Sequence, residues 1–111
     1  MGQTHQKFLS DIRVFGCSKC HTHLATMSSM LSRAFTGQHG RAYLFDVVVN
    51  IEQGEPADRQ MTTGLHTVRD IYCVKCGTTL GWKYDKAHVE AQKYKEGKYI
   101  LERGLICDVE D

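Results

Sequence analysis

The chain carries almost no net charge, no long apolar run, no low-complexity segment and only one proline and one tryptophan. A formal charge of +1 gives no general pull towards nucleic acid or an anionic membrane. Ionising four cysteines around one divalent ion would lower it by two, to about −1. No apolar stretch approaches the roughly 18 residues of a membrane span, and no signal-peptide core follows Met1. Gly2 is followed by Gln6 where an acylation signal wants Ser or Thr. A membrane partner is therefore not expected. The expected setting is a reducing one, nucleus and cytoplasm.

The sequence does have cysteines in pairs. Cys17-Ser18-Lys19-Cys20 and Cys73-Val74-Lys75-Cys76 hold four of the five, with 52 residues between the pairs. Each Cys-x-x-Cys turn can aim two thiolates at one ion, and together they supply the four sulfurs of a closed structural zinc site. A redox pair would need a helix directly after the motif, and neither pair precedes a convincing one. Gly77 suits the left-handed backbone that such a turn requires. His21 and His23 follow the first pair, but four sulfurs already close a tetrahedron, so they read as loop residues. Cys107, beside Asp108 and Glu110, reads as an unreactive thiol.

One domain is the natural reading of 111 residues, with 41% hydrophobic content for a modest core. We divide the chain into a flexible segment 1–11, a zinc-binding domain 12–106 and a tail 107–111. Ile12–Phe15 alternates like a short strand. Leu24–Phe35 has helix-like apolar spacing but several serines and a threonine, which predicts a loop with one or two helical turns. Arg41–Ile51 reads as a strand whose Val47-Val48-Val49 centre lies inside a sheet. After the polar loop Glu52–Asp58, strands are expected over Arg59–Thr63, Leu65–Tyr72, Thr78–Tyr84 and Lys98–Ile106, with a helical turn or two in Ala87–Lys95. That makes five or six strands, a mainly β fold of antiparallel sheets with little helix. Lysines 83, 86, 93, 95 and 98 read as a mildly basic solvated face.

These motifs carry a resemblance. The two cysteine pairs, Gly40-Arg41-Ala42-Tyr43-Leu44-Phe45, Thr63-Gly64-Leu65-His66, Leu80-Gly81-Trp82-Lys83-Tyr84 and Gln92-Lys93-Tyr94-Lys95-Glu96-Gly97-Lys98 are similar to those of Yippee-like proteins. The resemblance spans roughly Ile12 to Glu102. It implies the β-tent, two antiparallel sheets pinned by a four-cysteine site with one structural Zn²⁺. It also implies a non-enzymatic interaction module with protein partners, in some cases a ubiquitin ligase complex, and a role in cell division and growth.

The stretch from Cys73 to Tyr84 also resembles the ligand-binding domain of cereblon, where an aromatic cage receives a small cyclic imide. That resemblance implies a pocket beside the zinc walled by Trp82 and Tyr84, with His66 and Phe45 as further wall candidates. Such a cage could take an imide, a cation such as a methylated lysine, or a peptide turn. The bland alternative makes Trp82 and Tyr84 core aromatics.

Two other functions compete. B-type methionine sulfoxide reductases resemble the segment Cys73–Gly81, but Ile100 falls where their nucleophilic cysteine stands. Cys107 would need an odd shift of the strand, turning it to the other face. Nucleic-acid binding through zinc knuckles is opposed by the near-neutral charge and the lack of an Arg-rich recognition helix.

Overall fold

The computed structural model describes residues 6–109. Gly2 and the last two residues of the expected tail lie outside that range. Ten strands run β1 Val14–Cys17, β2 His23–Thr26, β3 Met30–Gly37, β4 Gly40–Phe45, β5 Ile51–Gln53, β6 Ala57–Met61, β7 Gly64–Cys73, β8 Thr79–Ala87, β9 Tyr99–Glu102 and β10 Ile106–Val109. Helix is confined to 3-10 turns at Met27–Ser29, Glu90–Lys95 and Arg103–Leu105. Among the described residues no helix is long and apolar enough to cross a membrane.

All pairings are antiparallel and fall into two sheets. The small sheet is ordered β10-β1-β2, and the large one β3-β4-β9-β8-β7, with β5 and β6 both pairing along β7. Alternation sorts the large sheet's side chains into two cores. On β4, Tyr43 and Phe45 join Phe15, Leu24, Leu80 and Ile106 in a core that both sheets share. Ala42 and Leu44 turn the other way, joining Val68, Trp82, Tyr84 and Ile100. Strand β9 divides likewise, with Leu101 in the first core and Ile100 in the second.

Strand β7 changes its buried face part-way. His66 and Val68 are buried at its start, Ile71 and Cys73 at its end. Strand β8 follows through a register break opposite Ile71/Tyr72, which puts Leu80 in the first core and Trp82 in the second. Gly81 sits at that break, where a Cβ would run into the Ile100 carbonyl oxygen. Only glycine allows β8 and β9 to approach so closely there.

Several expectations change. Leu24–Phe35 is mostly strand, with a single 3-10 turn between β2 and β3. Two register breaks in β3 disrupt the period-two pattern, so the sequence there mimics helical spacing. The strand expected over Arg41–Ile51 stops at Phe45. Val48 is buried, but Val47 is 53% exposed and its carbonyl accepts from Ser29 Oγ, so the valines form a connection outside the sheets. Asn50, at φ +59, turns the chain into β5. The last strand is split by the turn at Arg103–Leu105, which sends β10 to the small sheet.

The expected tail is therefore part of the domain through Val109. Strand β10 pairs with β1 from Cys17↔Ile106 to Val14↔Val109. The segment expected to be flexible before residue 12 is fastened from Lys7 onward. Lys7 N–H donates to Asn50 Oδ1 at 2.8 Å, and Leu9 N–H to His23 Nδ1 at 2.9 Å. Asp11 accepts from the Ser28 hydroxyl at 2.6 Å.

Candidate metal centre and aromatic cleft

Each Cys-x-x-Cys forms the turn of an antiparallel hairpin. The first joins β1 to β2 in the small sheet, the second β7 to β8 in the large one. The two turns are built alike. Cys17 N–H donates to Thr22 O at 3.0 Å and Cys73 N–H to Thr78 O at 2.9 Å. His21 N–H returns to Cys17 O at 2.7 Å, and Gly77 N–H to Cys73 O at 2.9 Å. His21 at φ 62 and Gly77 at φ 76 hold the left-handed position after each pair. His21 therefore has a backbone duty, and His23 accepts from Leu9; neither belongs to the sulfur cluster.

The four sulfurs lie within 4.8 Å of one another. Cys17 and Cys76 are 3.6 Å apart, Cys20 and Cys73 3.5 Å. Sulfurs bound at roughly 2.3 Å around a tetrahedral zinc would stand about 3.8 Å apart, so the cluster has the right size for one ion. Burial pushes the Cys17 thiol up to about 12 and raises Cys73 as well. The Thr78 hydroxyl, 3.1 Å from Cys76 Sγ, helps bring that exposed thiol down to about 6. Four thiolates this close repel one another strongly, and a cation is what lets them ionise together. Cys17, Cys20, Cys73 and Cys76 are thus placed to hold a metal ion.

Thr22 and Thr78 are the residues that the sequence reading missed. Thr22 Oγ1 stands 3.1 Å from Cys20 Sγ, as Thr78 Oγ1 does from Cys76. The signal was present as a Thr two places after the second cysteine in both turns.

Residues 13–110 match the family model described as Yippee zinc-binding/DNA-binding/Mis18, centromere assembly. The chain belongs to the Yippee family. It is 53% identical over 94 residues to a protein yippee-like of Solanum tuberosum, covering 85% of this chain and 73% of that one. Against protein yippee-like 3 of Homo sapiens it is 50% identical over 101 residues, covering 90% and 85%. The crystal structure of the Mis18 'Yippee-like' domain superposes with a TM-score of 0.68 at 14% identity, covering 89% of this chain and 96% of that one. At that identity the likeness concerns the fold alone.

The second feature of this Yippee domain is a cleft of about 750 Å³ on the large sheet. Its walls come from β3, β6 and the turn at Glu90–Lys95, and Trp82 and Tyr84 of β8 line it. Trp82 is 6% and Tyr84 2% exposed, so both serve as core and as cleft wall. Their rings meet edge to face at 6.3 Å. Both belong to the second core and Cys17 and Cys73 to the first, so the cleft opens on the sheet face away from the cysteines. The pocket expected beside the zinc is separated from it by the sheet.

Of the other wall candidates, Phe45 is excluded. It is fully buried in the first core, edge-on to Phe15 at 5.7 Å. His66 sits behind the wall, its ring 5.1 Å from that of Tyr84 and its Nδ1 2.9 Å from Gly64 O. Phe35, Met61 and Tyr94, which sequence reading did not select, line the cleft instead. Lys95, expected on a solvated face, is 3% exposed and also lines it. Ile100 is fully buried, and Cys107 lies in the small sheet with its thiol raised by burial and by Asp108.

Proposed function

We propose that this Yippee domain is a non-enzymatic interaction module that recognises a protein segment or a small ligand in the cleft of Trp82 and Tyr84. One structural Zn²⁺ on Cys17, Cys20, Cys73 and Cys76 holds the two hairpins, and hence the two sheets, together. Four sulfurs leave no open position for a substrate, which argues against a catalytic metal. The observation that carries the reading is the cleft itself. At about 750 Å³, walled by aromatic and polar side chains, it has the size and lining of a ligand site.

Association with a ubiquitin ligase complex, in nucleus and cytoplasm, is the partner reading that the family resemblance suggests. Purification of the tagged protein from cells tests it, comparing wild type with Trp82→Leu. Leucine keeps apolar volume in the second core, whereas Trp82→Ala is a core truncation costing about 3–5 kcal/mol. Ligase subunits present with wild type and lost with a folded, zinc-replete Trp82→Leu support the proposal. An unchanged set of partners overturns the role of the cleft. The DNA binding in the family description finds no support in the near-neutral charge of this chain. Retention on duplex DNA at low salt would reverse that judgement.

A further inference from the structure

We propose that the cleft takes a carboxylate carried on a flat apolar group, with the Lys95 ammonium as its counter-charge. This rests on the cleft being the recognition site and names the chemistry of its ligand.

Lys95 ends the turn that walls the cleft, with only 3% of the residue exposed. Its Nζ donates to Thr63 Oγ1 at 3.0 Å. Otherwise it faces rings, lying 5.2 Å from the centroid of Phe35, 5.4 Å from Tyr84 and 5.9 Å from Tyr94. Among the described residues it forms no ion pair. Its sequence neighbour Glu96 accepts from Ala87 N–H and pairs with Lys93. Burial lowers the Lys95 pKa with no opposing carboxylate to raise it. Aromatic faces return only part of the hydration that a buried ammonium loses.

The rest of the lining agrees. It includes no Asp or Glu, and with Arg59 already paired to Asp70, Lys95 is the cation of the lining left without a counter-charge among the described residues. A carboxylate would supply the missing charge, and the apolar group attached to it would rest on Trp82, Phe35 and Met61. A methylated lysine fits poorly, because Lys95 already occupies the aromatic faces that would hold it.

The only tryptophan in the chain lines this cleft, so its emission reports binding directly. The zinc-loaded full chain is titrated at constant ionic strength with phenylacetate and with neutral phenylacetamide. A short peptide ending in phenylalanine, as free acid and as amide, forms the second pair. A saturable response is expected to each acid, with the matching amide at least about tenfold weaker. Lys95→Met should abolish the preference for acids and raise thermal stability, while Lys95→Arg should keep the preference. If the free-acid peptide binds more tightly than phenylacetate, the carboxylate is that of a chain terminus; the reverse order points to a small acid. Equal binding of acids and amides overturns the carboxylate assignment and leaves the cleft as a recognition site. No response to any of the four probes likewise overturns the carboxylate assignment, while the role of the cleft is decided by the Trp82→Leu comparison.

Discussion

Thr78 Oγ1 lies 3.1 Å from Cys76 Sγ, and the same distance separates Thr22 from Cys20 in the other sheet's hairpin. A hydroxyl aimed at a metal-bound sulfur steadies its negative charge and fixes its orientation. Thr22→Val and Thr78→Val should each weaken zinc affinity by about tenfold, with little change in fold. Competition against a chromophoric chelator measures this. Thr22 is 4% exposed, so its loss should have the larger effect. Wild-type affinity in both variants would reduce the threonines to turn residues.

The metal should be present once per chain, because only one cluster of four sulfurs forms among the described residues. Cys17→Ser or Cys76→Ser should abolish cooperative unfolding, even though Cys17 is buried and Cys76 exposed. The reason is topological: each cysteine pair belongs to a different sheet, so an ion held by all four would tie the two sheets together beyond their shared core. Elemental analysis and thermal denaturation with and without chelator are the measurements. A serine variant with full zinc content and a normal melting curve would remove that cysteine from the ligand set.

The metal pairs and the mainly β fold were readable because Cys-x-x-Cys constrains local geometry whatever surrounds it. Gly77 was readable for the same reason. His21 was not, because nothing in a histidine announces a left-handed backbone; only the parallel with Gly77 does. The Val47–Val49 run misled because β-branched apolar residues suit any extended backbone, including a connection tied to Ser29 and Leu24. Phe45 and Trp82 look alike in sequence, and only register and the break at Gly81 assign them to opposite faces. Lys95 defeated the reading altogether. Its neighbours Lys93 and Glu96 form an ordinary surface pair, and its burial depends on Thr63 and Phe35, far away in the chain.

The two positions at positive φ offer a matched test of the knuckle backbone. Gly77→Ala would put a Cβ on a residue at φ 76, where the surrounding space is open and only backbone strain opposes it. The cost should be about 1 kcal/mol. His21→Gly should go the other way, relieving a similar strain but giving back about 0.4–1 kcal/mol through the more flexible unfolded chain. Urea unfolding of the zinc-loaded proteins should therefore place Gly77→Ala below wild type and His21→Gly level with it or slightly above. The opposite order would mean that the left-handed turn is not what these residues support.

His66 should make stability depend on pH in a way that can be separated from the metal. Its ring is fully buried against Tyr84, Nδ1 meets Gly64 O, and Nε2 has no partner. Burial is the main reason its pKa lies below the ordinary value of 6.5; the charges of Lys95 and His88 push the same way, and only the Gly64 carbonyl opposes them. The unfolded chain therefore binds a proton more readily than the folded one. The stabilising contribution is complete above the unfolded value near 6.5 and is lost as pH falls towards the lower folded value. His66→Phe keeps an aromatic contact with Tyr84 and removes the titration. Urea midpoints compared at about pH 7.5 and about pH 5.5, on either side of the unfolded value, should fall more for wild type than for His66→Phe. The difference isolates His66 because both proteins share the same cysteines. Identical falls would assign the acid sensitivity to the thiolates alone.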